Sequence, residues 1–108
     1  MSEVEFHRHI IGLVSSGEYR ISEHALDALI DDELGRADIS DSITKSEMLE
    51  SYPEFGKGPA ILLYQIAVDG RIVHCVWGIP KGFSTPAVLI TAYIPDPSKW
   101  DKTLKVRQ

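Results

Sequence analysis

Two apolar runs, Ile61–Val68 and Arg71–Gly78, meet at the dipeptide Asp69-Gly70. Asp-Gly between runs of β-branched and aromatic residues is the strongest short-range signal for a β-hairpin, because glycine accepts the positive φ that a type I′ turn demands. A two-residue turn pairs Val68 with Arg71, Ile66 with Val73 and Gln65 with His74. Side chains alternate along a strand, so Leu62, Tyr64 and Ile66 then share a face with Val73, Cys75 and Trp77. Leu63, Gln65 and Ala67 share the other with Ile72, His74 and Val76. The first face is apolar and suits a core; the second is half polar, with Gln65 opposite His74.

A third strand, Ala87–Ile94, follows the breakers Pro80, Gly82 and Pro86 and stops at Pro95-Asp96-Pro97. Its alternation puts Leu89, Thr91 and Tyr93 on one face, and pairing with the second strand brings Thr91 and Tyr93 to the His74 side. Before Tyr52 the apolar period is helical. A first helix covers about Val4 to Ser16, with Phe6, Ile10, Leu13 and Val14 on one stripe and Gly17 as its stop. Ser22 caps a second helix, about Glu23 to Leu34, whose Leu26, Leu29 and Ile30 are expected to face inward. A third, short helix begins near Asp38, with Asp41 three residues on; Ile39, Ile43 and Met48 or Leu49 form its apolar side. Glu47–Tyr52 reads either as its continuation or as an edge strand. Trp100 is expected to anchor the polar tail.

Helices over about 4–50, an antiparallel sheet over about 59–95 and a tail over 96–108 make one α+β domain: two to three N-terminal helices packed on a small three- to four-stranded antiparallel sheet. With 108 residues the chain can bury one core but not two.

Sixteen acidic residues against eleven Lys and Arg give a net charge of −5. That balance argues against a protein that coats nucleic acid or an anionic membrane without specificity. The single cysteine, Cys75, excludes an internal disulfide and a thiolate zinc site. The acidic N-terminal segment lacks the pattern of a signal peptide and no apolar run is long enough to span a bilayer, so a cytoplasmic, membrane-free protein is expected. There is no Walker pattern and no G-x-S-x-G. His74 and Cys75 are adjacent on a strand and point to opposite faces, so they form no nucleophile–base pair. His7 and His9 are two apart on a helix and diverge. No metal and no cofactor are expected.

His74 is the first candidate for chemistry, since an imidazole titrates near pH ~6.5; the plain alternative is a half-buried ring satisfied by Gln65 or water. Thr91 and Tyr93 gain interest by sharing its face. His24 lies just after the Ser22 cap, where free backbone N–H groups can hold an anion; its alternative is a solvated first-turn residue. Arg71, Lys57 and Lys81 supply cations for a local positive rim, and the carboxylates between Asp27 and Asp41 read as solvated helix surface.

Tyr19-Arg-Ile-Ser22-Glu-His24-Ala25, then Glu50-Ser-Tyr52-Pro53, Leu62-Leu63, Asp69-Gly70-Arg71, His74 and finally Ile90-Thr91-Ala92-Tyr93 with Pro95-Asp96 resemble the family catalogued as domain of unknown function 4258. The resemblance spans roughly Ile10 to Trp100. More distantly that family is similar to the RelE/BrnT toxins, which implies helices on a small antiparallel sheet, metal-independent cleavage of RNA, often at the ribosome, and neutralisation by an antitoxin protein. It also implies that His24 and His74 are the motif's two histidines, with Thr91 and Tyr93 on its final strand. The chain departs from the pattern where family members often carry an arginine one turn after the first histidine: here Ala25-Leu26-Asp27-Ala28-Leu29 follows.

Two functions from different classes follow. One is a toxin-type ribonuclease in which His24 and His74 exchange protons, Thr91 or Tyr93 positions the phosphate, and Gln65 and Arg71 bind the substrate. The other is a non-catalytic protein-binding module of the same fold. An exposed sheet edge makes a homodimer the expected assembly.

Overall fold

The computed structural model describes all of residues 1–108. In chain order the elements are α1 (Glu3–Ser15), β1 (Tyr19–Ile21), α2 (Glu23–Asp31), α3 (Arg36–Ser40) with a 3-10 turn at Asp41–Lys45, β2 (Glu47–Tyr52), β3 (Ala60–Ile66), β4 (Ile72–Gly78) and β5 (Ala87–Tyr93). The protein is α+β, but its sheet has five strands in the order β1-β5-β4-β3-β2 and is mixed. Four antiparallel strands fall within the expected three- to four-stranded sheet, and one element goes beyond it. Glu47–Tyr52 is the edge strand β2, antiparallel to β3. The helix connector Tyr19–Ile21 adds β1 in parallel to the start of β5; three residues are too few to show a period of two.

Local chemistry sets the helix starts. The Ser2 hydroxyl accepts from the Glu5 N–H at 3.1 Å while the Glu5 carboxylate accepts from the Ser2 N–H, a reciprocal cap on α1. The Ser22 hydroxyl accepts from the Ala25 N–H and opens α2. At α3 the Asp38 carboxylate accepts from the Gly35 N–H at 2.8 Å, so the helix starts ahead of Asp38 rather than at it.

The hairpin register differs from the two-residue reading by one residue. Tyr64 opposes His74, Gln65 opposes Val73 and Ile66 opposes Ile72. The Gly70 N–H donates to the Ala67 carbonyl, Ala67 N–H donates to the Arg71 carbonyl, and Gly70 sits at φ +91°. That is a three-residue loop, a turn followed by a left-handed glycine, rather than a type I′ turn. One residue of slip exchanges the faces of a strand. Leu63 and Gln65 therefore lie with Val73, Cys75 and Trp77 toward the core, while Leu62, Tyr64 and Ile66 share the outer face with His74. A second irregularity falls on β5: Trp77 pairs with Leu89 and Val76 with Thr91, so Ile90 is an extra residue. Leu89 is thereby turned into the core, while Thr91 and Tyr93 stay on the His74 side.

The core lies between the helices and the inner sheet face, with Ile10, Leu13 and Val14 of α1, Ile39 and Ile43 meeting Ile61, Leu63, Val73, Trp77 and Leu89. α2 is rotated from its expected orientation. Ala25 and Leu29 face inward, the small Ala25 letting the helix sit close to β5, whereas Leu26 is 48% and Ile30 63% exposed.

Part of the outer face is covered by residues 96–108. Every backbone-to-backbone hydrogen bond this strap makes stays within it, from the Lys99 N–H to the Asp96 carbonyl through to the Gln108 N–H on the Lys99 carbonyl. One Asp101 carboxylate oxygen accepts from the Thr103 N–H and hydroxyl and from the Lys105 and Val106 N–H groups. Each of its ties to the sheet involves a side chain on one side or the other.

Candidate functional site

The outer sheet face has an open end and a closed end. At the open end lies a cleft of about 410 Å³, a size that suits a small ligand or one nucleotide of a longer one. Gly78, Val88 and Ile90 form its apolar floor. Gly78 keeps this floor open, since a Cβ would stand 2.9 Å from the end of the Ile90 side chain and 3.1 Å from the Pro59 carbonyl oxygen and would push both aside. Gly58, at φ +132°, lets the β2–β3 loop close against Ile79 and Lys81; a Cβ at that position would stand 2.0 Å from the Ile79 carbonyl oxygen.

Around this floor stand Arg20 from β1, His24 from the first turn of α2, and Phe55 and Lys57 from the β2–β3 loop. Phe55 is 45% exposed. Neither Arg20 nor Lys57 joins any of the chain's three ion pairs, and no carboxylate lines the cleft. His24 Nε2 hydrogen-bonds with the Thr91 hydroxyl at 3.1 Å, which orients the ring and leaves its other nitrogen unpaired. The cleft can therefore hold an anionic ligand with an apolar or aromatic part, beside a group able to exchange a proton.

The closed end holds His74, fully buried between sheet and strap. Its Nε2 meets the Leu104 carbonyl at 2.6 Å, its Nδ1 lies 3.3 Å from the Tyr93 hydroxyl, and Trp100 packs against the ring edge-on at 4.4 Å. Desolvation by burial holds its pKa below the ordinary imidazole value; the Leu104 carbonyl pulls the other way. The strap is pinned by two ion pairs, Lys105 with Glu47 at 2.9 Å and Arg107 with Glu50 at 2.8 Å. Arg107 also lies over the Trp100 ring and Lys105 over Tyr64. The Arg107 guanidinium holds the Glu50 carboxyl low, and burial with a hydrogen bond to Glu50 pushes Tyr52 up to about 12.

The expected site residues are thus divided. His24 with Thr91, and His74 with Tyr93, lie on one face, two residues apart on β5 and roughly 7 Å along the strand. The histidines do not face one open space, since His74 has both nitrogens engaged beneath the strap. Gln65 stands elsewhere, because the register places it on the core side. Its amide donates to the Ile39 carbonyl and the Ser42 hydroxyl, both at 2.8 Å, and its oxygen accepts from the Trp77 indole at 2.9 Å. Arg71 is also spent inside the fold: its guanidinium donates to the Asp32 and Glu33 carbonyls beyond the end of α2 and to Asp69. Sequence reasoning missed Arg20 and Phe55. No sequence signal marks either one: Arg20 lies in a strand of three residues, too short to show a period, and Phe55 in a loop without period.

Comparison with known proteins bears on the same stretch. No curated protein and no solved structure matches the chain. The sequence profile of the family described as Domain of unknown function (DUF4258) matches residues 21–94, from the end of β1 to just past β5. That span takes in α2 with His24, the hairpin with His74, and Thr91 and Tyr93, and on a match covering more than half of its length the chain belongs to this family.

Proposed function

We propose that the cleft at His24 binds single-stranded RNA and cleaves it without a metal, in the manner of a RelE/BrnT-like toxin that an antitoxin protein would neutralise. The observation that carries this reading is the rim: Arg20, His24 and Lys57 around an apolar floor, with no lining carboxylate, in a chain of net charge −5. Cations gathered against the overall balance suit an anionic ligand. Arg20 supplies a guanidinium beside His24, where this sequence lacks the arginine that the resemblance places one turn later. Phe55 offers a face on which a base stacks.

In this reading one RNA phosphate sits between Arg20 and Lys57. His24 takes the proton of the neighbouring 2′-hydroxyl through the nitrogen that Thr91 leaves free. The 2′-oxygen attacks phosphorus, the bond to the 5′-oxygen breaks, and that oxygen takes a proton from water in the open cleft. The products are a 2′,3′-cyclic phosphate and a 5′-hydroxyl, and Arg20 and Lys57 offset the charge that builds on the phosphate oxygens. His74 has no part in the step, because burial and its two hydrogen bonds remove it from the ligand.

The test uses purified protein and a fluorescent single-stranded RNA of about ten nucleotides. Binding and cleavage are expected, with cleavage reduced at least ~100-fold in His24→Ala and affinity reduced about 10-fold in Arg20→Ala. Induction in a bacterial host is expected to arrest growth, and His24→Ala to relieve the arrest. Binding without cleavage would move the reading to a non-catalytic module of the same fold, which the sealed state of His74 favours. RNA that neither binds nor is cut would sink it.

A further inference from the structure

The outward surface of α2 breaks two rules at once. Leu26 and Ile30, one helical turn apart, are 48% and 63% exposed. Beside them run Glu23, Asp27 and Asp31 at the same four-residue spacing, so an apolar stripe and an acidic stripe lie together along the helix. Between residues 23 and 33 there are five carboxylates and no Lys or Arg. The whole chain carries −5, so this one segment accounts for the net charge and the remainder of the molecule is balanced.

None of these five side chains joins an ion pair of the fold. Asp31 and Asp32 stand at the C-terminal end of the helix, where the macrodipole disfavours a carboxylate. Arg71 is committed there to backbone carbonyls. Residues that break local rules without a gain inside the fold mark a surface shaped by something outside it.

We propose that this face of α2 docks a cationic amphipathic segment of a partner protein. Apolar side chains of that segment lie over Leu26 and Ile30, and its Lys or Arg side chains over Glu23, Asp27 and Asp31. The carboxylates repel nucleic acid and anionic lipid, which leaves protein as the class of occupant. No helix of a second copy offers the complement: α1 carries a single cation, Arg8, with two acids, α3 a single Arg36, and the unpaired Arg20 and Lys57 line the cleft from separate elements rather than one segment. The inference stands apart from the RNA reading. It does place a partner next to the cleft, because His24 belongs to the first turn of the same helix.

The test measures fluorescence anisotropy of a labelled 15-residue Lys/Leu amphipathic peptide, with a scrambled peptide of identical composition as control, in about 0.15 M salt. The intact protein is expected to bind the amphipathic peptide at least ~10-fold more tightly than the scramble. Leu26→Ser/Ile30→Ser, which keeps the charge, and Asp27→Asn/Asp31→Asn, which keeps the apolar pair, are each expected to weaken binding about 10-fold. Circular dichroism verifies the fold of each. Asp27 and Asp31 hold nothing within the chain, so that variant decides alone should the first fail to fold. Equal affinity for intact protein and variants, or no preference over the scramble, would overturn the proposal. Self-association that the Leu26→Ser/Ile30→Ser change abolishes would also overturn it and assign the face to a second copy.

Discussion

His24 and His74 lie on the same face of one sheet, hydrogen-bonded to residues two apart on β5, yet they occupy opposite physical states. His24 stands at a rim, held by one hydroxyl, with a nitrogen open to whatever enters the cleft. His74 is sealed, with a carbonyl on one nitrogen, a tyrosine on the other and an indole across the ring. A side chain whose hydrogen-bonding capacity is filled from within contributes to stability; one left half satisfied at an opening is available for chemistry. The difference comes from what lies above each ring: solvent over His24, the strap over His74.

The two ends are separable by substitution. The largest effect is expected at Gly58, which shapes the open end. A Cβ there meets the Ile79 carbonyl and the backbone is left-handed, so Gly58→Ala is expected to cost about 4 kcal/mol or prevent folding, read as a shift of the urea midpoint. At the closed end His74→Ala removes a fully buried ring and strips the Leu104 carbonyl of its donor, a loss of about 3 kcal/mol in the same assay. His24→Ala is expected to stay within ~0.5 kcal/mol of the native protein, reversing the ranking that RNA cleavage should give. Equal losses at the two histidines would erase the distinction.

Titration sharpens the contrast more gently. The folded pKa of His74 lies below its unfolded value of 6.5, so between the two the unfolded chain binds more protons. The stability due to the neutral ring is present in full above pH 6.5 and is lost as the pH falls through the folded value. His7 titrates in the same direction, so the contribution of His74 is read as the difference between native protein and His74→Gln across pH 4 to 8. The native curve is expected to fall more steeply on the acid side. The smallest effect belongs to the clamp: Glu50→Gln breaks a partly exposed ion pair with Arg107 and is expected to cost about 0.5 kcal/mol at low salt and less at high salt.

Much of this was legible in the sequence, with limits that have physical causes. Long periods showed themselves: α1 with Ile10, Leu13 and Val14 inward, the hairpin, and the third strand with Thr91 and Tyr93 on the His74 side. Short or frustrated features did not. The sequence shows that Asp69-Gly70 turns the chain but not how many residues turn with it, and that one residue decided whether Gln65 faced His74 or Trp77. The extra residue Ile90 has no sequence mark, because both readings of β5 alternate equally well. In α2, Leu26, Leu29 and Ile30 all look like core residues; which one points in depends on Ala25 meeting β5 across the chain. The cleft was the hardest to foresee, since its rim is drawn from β1, placed by its parallel pairing with β5, from α2, and from a loop held against Ile79 and Lys81.

The strap carries one more implication. Because its backbone-to-backbone hydrogen bonds are all its own, residues 96–108 form a small unit fastened to the sheet by the buried Trp100 indole, two ion pairs and the Leu104 carbonyl on His74. Such a segment is expected to keep its own clock, its amides exchanging with solvent through openings that leave the five strands intact, which hydrogen exchange would read directly.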